Sequence, residues 1–96
     1  MLNPLRFEWD DAKAAANLRK HRVSFEEAAE VFYDPYALDD RDAEHSYDEE
    51  RFFVIGYSAV RMLYVVFVER RDNVIRIISA RLPTPAERKA DEEQER

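Results

Sequence analysis

Met62-Leu63-Tyr64-Val65-Val66-Phe67-Val68-Glu69, Arg70-Arg71-Asp72-Asn73 and Val74-Ile75-Arg76-Ile77-Ile78-Ser79-Ala80-Arg81 decide the fold. The first block is nearly all apolar and rich in β-branched and aromatic residues. At eight residues it falls far short of the roughly 20 that a membrane span needs, and it reads as a central strand buried on both faces. Asp72-Asn73 is a turn-forming pair, so the second block closes a hairpin. The third block is the last strand. If that strand is regular, residues 75, 77, 79 and 81 share one face and 76, 78 and 80 the other, which puts Arg76 and Arg81 on opposite faces.

Working outward, Arg51 to Tyr57 predicts a strand before this hairpin, with Ser58-Ala59-Val60 in or beside a turn. Downstream, Pro83 ends the sheet. Thr84-Pro85-Ala86-Glu87 combines an N-cap, a proline at the first helical position and a capping-box glutamate, so a C-terminal helix begins there. Its only small hydrophobes are Ala86 and Ala90, so it docks through few contacts or frays. Upstream, Leu5 to Trp9 predicts a short strand. Asp10 caps a helix to about His21. Ser24 and Glu27 form a capping box, and Phe25, Ala28, Ala29 and Phe32 make the buried stripe of a second helix. Asp34-Pro35 stops it, Tyr36-Ala37-Leu38 is a brief strand, and residues 39–50 are a loop. The order β-α-α-(β)-β-β-β-α predicts an α+β fold: an N-terminal strand, two helices, an antiparallel sheet of three to four strands covered on one face, and a C-terminal helix.

Length and composition fit one domain spanning residues 1–96, with no internal repeat and no linker. There is no cysteine, so disulfides and thiolate metal sites are excluded and the cytoplasm is the natural compartment. Met1-Leu2-Asn3-Pro4-Leu5-Arg6 has no apolar core, so no signal peptide is expected. The net charge of −6 argues against a generic nucleic-acid binder. The charge is uneven, however. Residues 39–50 carry −6 and the tail after Thr84 carries −2, which leaves +2 on the rest. Twelve of the 15 cations are arginine, the side chain suited to bidentate phosphate or carboxylate contacts.

On the first helix Lys13, Asn17, Lys20 and His21 fall within one polar arc about 100° wide. Two ammonium groups, a carboxamide and an imidazole there make a phosphate-handling surface; the plainer alternative is the solvated face of an amphipathic helix.

Trp9-Asp10…Lys13…Asn17…Lys20-His21…Phe25…Ala28, then Arg51…Gly56, then Ile75-Arg76-Ile77-Ile78-Ser79-Ala80-Arg81 together resemble the BrnT family, small toxins of type II toxin–antitoxin pairs. The resemblance covers about residues 7–88 and lies in the order of the three blocks. It implies a RelE-like ribonuclease fold, RNA cleavage that inhibits translation without a metal or other cofactor, and neutralisation by a BrnA-type antitoxin in a hetero-oligomer. Operator DNA is then reached only indirectly, through the antitoxin. The chain departs from the family pattern at Arg22, where relatives commonly have Gly after the Lys-His pair. A glycine there serves a positive φ at a helix end, so Arg22 adopts that conformation or the chain leaves the helix differently. No aromatic residue follows Glu87-Arg88, where relatives often carry Tyr.

Metal-free RNA cleavage uses the 2′-hydroxyl as nucleophile on the adjacent phosphate. The site must take a proton from that hydroxyl, stabilise the added negative charge and protonate the leaving 5′-oxygen. His21 is the candidate acid or base, against the alternative of a helix C-cap. Arg81, at the open end of the last strand, and Arg61, before the central strand, are the candidate catalytic cations; Arg61 is alternatively an exposed turn residue. Lys13, Lys20 and Arg51 are candidate phosphate ligands, with solvation as the alternative for the lysines. Arg76 is expected to pair with a carboxylate or face solvent. His45 stands among Asp42, Glu44 and Asp48, but no second histidine is near and the spacing fits no zinc pattern, so no metal site is expected. The acidic stretch is a solvated charge run, or it repels RNA or docks a basic antitoxin segment. Beside the ribonuclease toxin, a non-catalytic protein-interaction module of the same fold is the second reading. A metabolite enzyme has little support without a phosphate loop or cofactor motif.

Overall fold

The computed structural model describes residues 4–46 and 48–93. Met1–Asn3 of the N-terminal stretch and Glu95 of the acidic tail lie outside the described residues.

Five strands, β1 (Arg6–Glu8), β2 (Leu38–Arg41), β3 (Phe52–Tyr57), β4 (Met62–Glu69) and β5 (Val74–Arg81), form one sheet in the order β1-β5-β4-β3-β2. Strands β2 to β5 are antiparallel neighbours, but β1 pairs with β5 in parallel. The expected antiparallel sheet of three to four strands is therefore a mixed sheet of five. The parallel pair joins the first strand to the last, across both helices and the meander, and no local pattern encodes it. The brief strand expected at 36–38 begins later and takes in Asp39, Asp40 and Arg41 of the expected loop. Exposed charges suit β2 because it is an edge strand, where they oppose pairing with other chains.

β4 is central and nearly buried, as its sequence predicts. Leu63, Val65 and Phe67 face the main core, while Met62, Tyr64, Val66 and Val68 alternate to the opposite face. The turn into β5 has positive φ at both Asp72 (60°) and Asn73 (62°), the conformation of a tight two-residue hairpin. Within β5 the alternation breaks. Phe67 pairs with Ile77 and Val66 with Ser79, so Ile78 is the extra residue of a β-bulge. Arg76 stands opposite Val68 and Arg81 opposite Tyr64. Both arginines thus share one face, contrary to the regular-strand expectation.

Helix α1 (Asp11–His21) starts at Asp10, whose carboxylate accepts the Lys13 N–H. It ends at Arg22, which takes the left-handed conformation (φ 60°, ψ 31°) and donates its N–H to the Leu18 carbonyl. Arg22 thus carries the positive φ itself, at a steric cost of about 1 kcal/mol. Helix α2 (Phe25–Glu30) is capped by Ser24 and runs into a 3-10 turn at Val31–Tyr33. Only half of the expected capping box forms, because the Glu27 carboxylate is taken by Arg61 and Ser58. Helix α3 (Pro85–Glu92) has the full box between Thr84 and Glu87.

Both α1 and α2 cover one face of the sheet. Val23, Phe25, Ala28 and Val31, all fully buried, pack on the β3–β5 residues of that face. Phe32 meets Phe67 edge-on at 4.9 Å. Gly56 sits where β3 passes under the 3-10 turn; a Cβ there would stand 3.0 Å from the Ala37 Cβ and 3.3 Å from the Val31 carbonyl. On the opposite face α3 lies against β3, with Ala86 and Ala90 over Phe53, Ile55 and Tyr64. It leaves the β4–β5 end of that face open. Among the described residues no helix is long and apolar enough to cross a membrane.

Candidate active site

The open end of this second face is a cleft of about 250 Å³ lined by Asp42, His45, Arg51, Tyr64, Val66, Ser79 and Arg81. The bulge at Ile78 turns Ser79 and Arg81 into it. The Arg81 guanidinium carbon lies 4.0 Å over the centre of the Tyr64 ring. Its two terminal nitrogens donate to both carboxylate oxygens of Glu87, at 2.8 and 3.0 Å. Arg81 is therefore held from below by a ring and from the side by α3. The Arg81 hydrogen bonds hold the Glu87 carboxyl below the usual carboxylate range, and the same pair raises the guanidinium further. Burial pushes the Tyr64 phenol above its ordinary value; the Asp42 and Glu87 carboxylates add to this and Arg81 opposes it. Tyr64 thus stays protonated as a neutral donor across the physiological range.

Arg51 reaches this cleft because its loop is tied off at the base. The Asp42 N–H donates to the Arg51 carbonyl at 2.7 Å, and the Ser46 hydroxyl accepts the Arg51 N–H at 2.9 Å. Three of the acids of residues 39–50 are in ion pairs. Glu50 pairs with Arg41 at 2.8 Å, Glu49 with Arg70 at 2.7 Å, and Asp42 with His45. All of these acids but Asp42 are exposed, so the stretch is largely a solvated charge run with surface ion pairs.

Lys13, Lys20 and His21 come together on α1, as the helical arc requires, and line a hollow of about 240 Å³ with Asn17, Ile78 and Ser79. Ser79 borders both hollow and cleft. The two form adjoining surfaces rather than one pocket. Asn17 is not a phosphate ligand. It is buried, and its amide nitrogen donates to the carbonyls of Val23 and Ala80 while its oxygen accepts the Ala80 N–H.

Arg61 stands apart from both. Its guanidinium makes two bonds to the Glu27 carboxylate, at 3.0 and 2.8 Å, and a third to the Arg22 carbonyl at 2.8 Å. These bonds lower the Glu27 pKa and join the β3–β4 turn to the start of α2 and the end of α1. Arg76 pairs with Glu8 across the β1–β5 edge at 2.9 Å, as its place within the sheet suggested. Another hollow, beneath β2, presents the carboxylates of Asp34, Asp39 and Glu69 and would repel a phosphate.

Sequence reasoning missed His45, Tyr64 and Ser79 as members of the cleft. Tyr64 was the one polar group inside an apolar strand, and His45 lies three residues after Asp42. Those were the available signals.

The sequence profile of the family described as "Ribonuclease toxin, BrnT, of type II toxin-antitoxin system" matches residues 9–87. Among solved structures, the chain is similar to the Brucella abortus ribonuclease toxin BrnT. The identity is 19%, the TM-score 0.65, and the match covers 84% of this chain and 99% of that one. At that identity the likeness concerns the fold. No curated protein matches the sequence.

Proposed function

The chain belongs to the BrnT family of ribonuclease toxins of type II toxin–antitoxin systems, and on that premise we propose that it cleaves RNA without a metal ion, in the cleft where Arg51 and Arg81 meet, and is neutralised by a BrnA-type antitoxin. The observation that carries this reading is that two arginines from distant parts of the chain, Arg81 at the end of β5 and Arg51 just before β3, line one open cleft. In-line attack by a 2′-hydroxyl adds negative charge to the phosphate. Fixed cations aimed at that charge lower the barrier most when they need no rearrangement. Arg81 meets this condition through Glu87 and Tyr64. The tied loop fixes the Arg51 backbone at the cleft wall.

Single-stranded RNA crossing Ser79 leaves the cleft over α1. There Lys13, Lys20 and His21 take the neighbouring phosphates, which position the strand without reading its sequence. The acidic remainder of the chain fits a toxin that meets RNA through one basic face and a basic antitoxin segment elsewhere.

Expression of the chain without an antitoxin tests the reading. Arrested growth with fragmented mRNA, relieved by Arg81→Ala or by co-expression of a BrnA-type antitoxin, is the expected result. Arrest without fragmentation favours the interaction module.

A further inference from the structure

We infer that His45, oriented by Asp42, is the general base of the cleft. The inference rests on the ribonuclease reading above and assigns to His45 the proton transfer that the helix arc had suggested for His21.

The imidazole Nδ1 lies 3.0 and 3.1 Å from the two carboxylate oxygens of Asp42. The Asp42 side chain is 11% exposed and that of His45 is 54% exposed. A largely shielded carboxylate gripping one ring nitrogen of an imidazole that reaches into solvent is the arrangement that fixes a tautomer. Asp42 accepts the Nδ1 proton, and the Nε2 lone pair is the one presented to a substrate. Asp42 is itself held, because its backbone N–H bonds to the Arg51 carbonyl and its carbonyl accepts from the Ser46 hydroxyl at 2.6 Å. The dyad and Arg51 therefore occupy two ends of one closed loop, both on the wall of the cleft that holds Arg81. His21 lines the α1 hollow and not this cleft.

In the step assigned, Nε2 of His45 takes the proton of the 2′-hydroxyl as that oxygen bonds to phosphorus. The bond from phosphorus to the 5′-oxygen breaks, and the 5′-oxygen leaves with the electron pair and takes a proton from water. The imidazolium then gives its proton to solvent. The products are a 2′,3′-cyclic phosphate and a 5′-hydroxyl. His45 is the catalytic residue and Asp42 a positioning residue.

The charged and titratable groups around the imidazole are Asp42 and Glu44 from its own loop, Arg51 at the head of β3, Tyr64 on β4, Arg81 on β5 and, behind Arg81, Glu87 of α3.

The test is steady-state cleavage of a labelled single-stranded RNA by the purified full chain, run from acid to alkaline pH. Expected for His45→Gln is a fall in kcat of about 100-fold or more with little change in KM, and loss of the acid limb of the kcat profile. Asp42→Asn lowers kcat by about tenfold or more with the chain still folded. Added imidazole restores part of the rate to His45→Ala, a result that a merely structural role does not give. His21→Gln keeps the acid limb. Cleavage by the unsubstituted chain together with full kcat and an unchanged acid limb in His45→Gln overturns the assignment and leaves the ribonuclease reading standing. No cleavage by the unsubstituted chain overturns both.

Discussion

Asn17 closes on both backbone polar atoms of Ala80: its amide nitrogen donates to the carbonyl at 2.8 Å and its oxygen accepts the N–H at 3.1 Å. One helix side chain thus replaces a neighbouring strand at the open edge of β5, one residue from Ser79 and one from Arg81. The contact sets the α1 hollow and the sheet cleft side by side. Asn17→Ala leaves the buried N–H and carbonyl of Ala80 and the Val23 carbonyl without this partner, at about 1–3 kcal/mol for each group stranded. The expected loss is about 3 kcal/mol, a drop in Tm on the order of 10 °C or more in a domain of this size. Asn17→Asp cannot donate to either carbonyl and is expected to cost at least as much. Thermal unfolding followed by circular dichroism measures both.

Arg61 binds Glu27 and the Arg22 carbonyl rather than the cleft. Arg61→Ala is therefore expected to lower stability by about 2 kcal/mol, the worth of charge-assisted hydrogen bonds discounted for partial exposure. The kcat of the folded fraction should stay within a few-fold of the unsubstituted chain. Denaturant titration beside a cleavage assay separates the two effects, and a large fall in kcat with stability intact would make Arg61 a catalytic cation after all.

Two carboxylates set the response to acid. Hydrogen bonds from Arg61 and Arg81 depress Glu27 and Glu87 below the ordinary 4.5 in the folded chain. The unfolded chain therefore binds their protons more readily. Their contribution is fully present above the ordinary value and is lost as pH falls through the depressed folded one. Tm is expected to fall between about pH 5 and about pH 3, and the double variant E27Q/E87Q to flatten that decline.

Lys13 and Lys20 act on RNA as point charges. Each phosphate contact on a single strand contributes about 0.7 to the slope of log affinity against log salt. Lys13→Ala with Lys20→Ala should reduce that slope by roughly 1.4 and raise KM at moderate salt while kcat holds. Binding of a non-cleavable deoxyribonucleotide analogue across a salt series checks it.

The elements that decide the fold were legible because each carries a local signal. The apolar run of β4, the Asp72-Asn73 turn and the caps at Asp10, Ser24 and Thr84 all lie where pattern and chemistry place them. The parallel pairing of β1 with β5 was not legible, because it is a contact between distant segments. The bulge at Ile78 was hidden as well, since Ile77-Ile78 reads equally well in either register, yet it decides which face Arg81 occupies. In the site, Arg51 and Arg81 are legible as arginines, and both line the cleft. His45 reads in the sequence as a lone histidine among acids with no second histidine to share a metal, and its pairing with Asp42 depends on how the loop closes. Asn17 differs from its expected place on a polar surface for a related reason. Helical spacing gives its direction but not what waits there.

The central claim is tested most directly by incubating the purified chain, free of antitoxin and in the presence of a chelator, with an end-labelled single-stranded RNA. Cleavage that leaves 2′,3′-cyclic phosphate ends, and that slows by about 100-fold or more in Arg81→Ala, is the expected result. Intact RNA, or cleavage that the chelator abolishes, would contradict it.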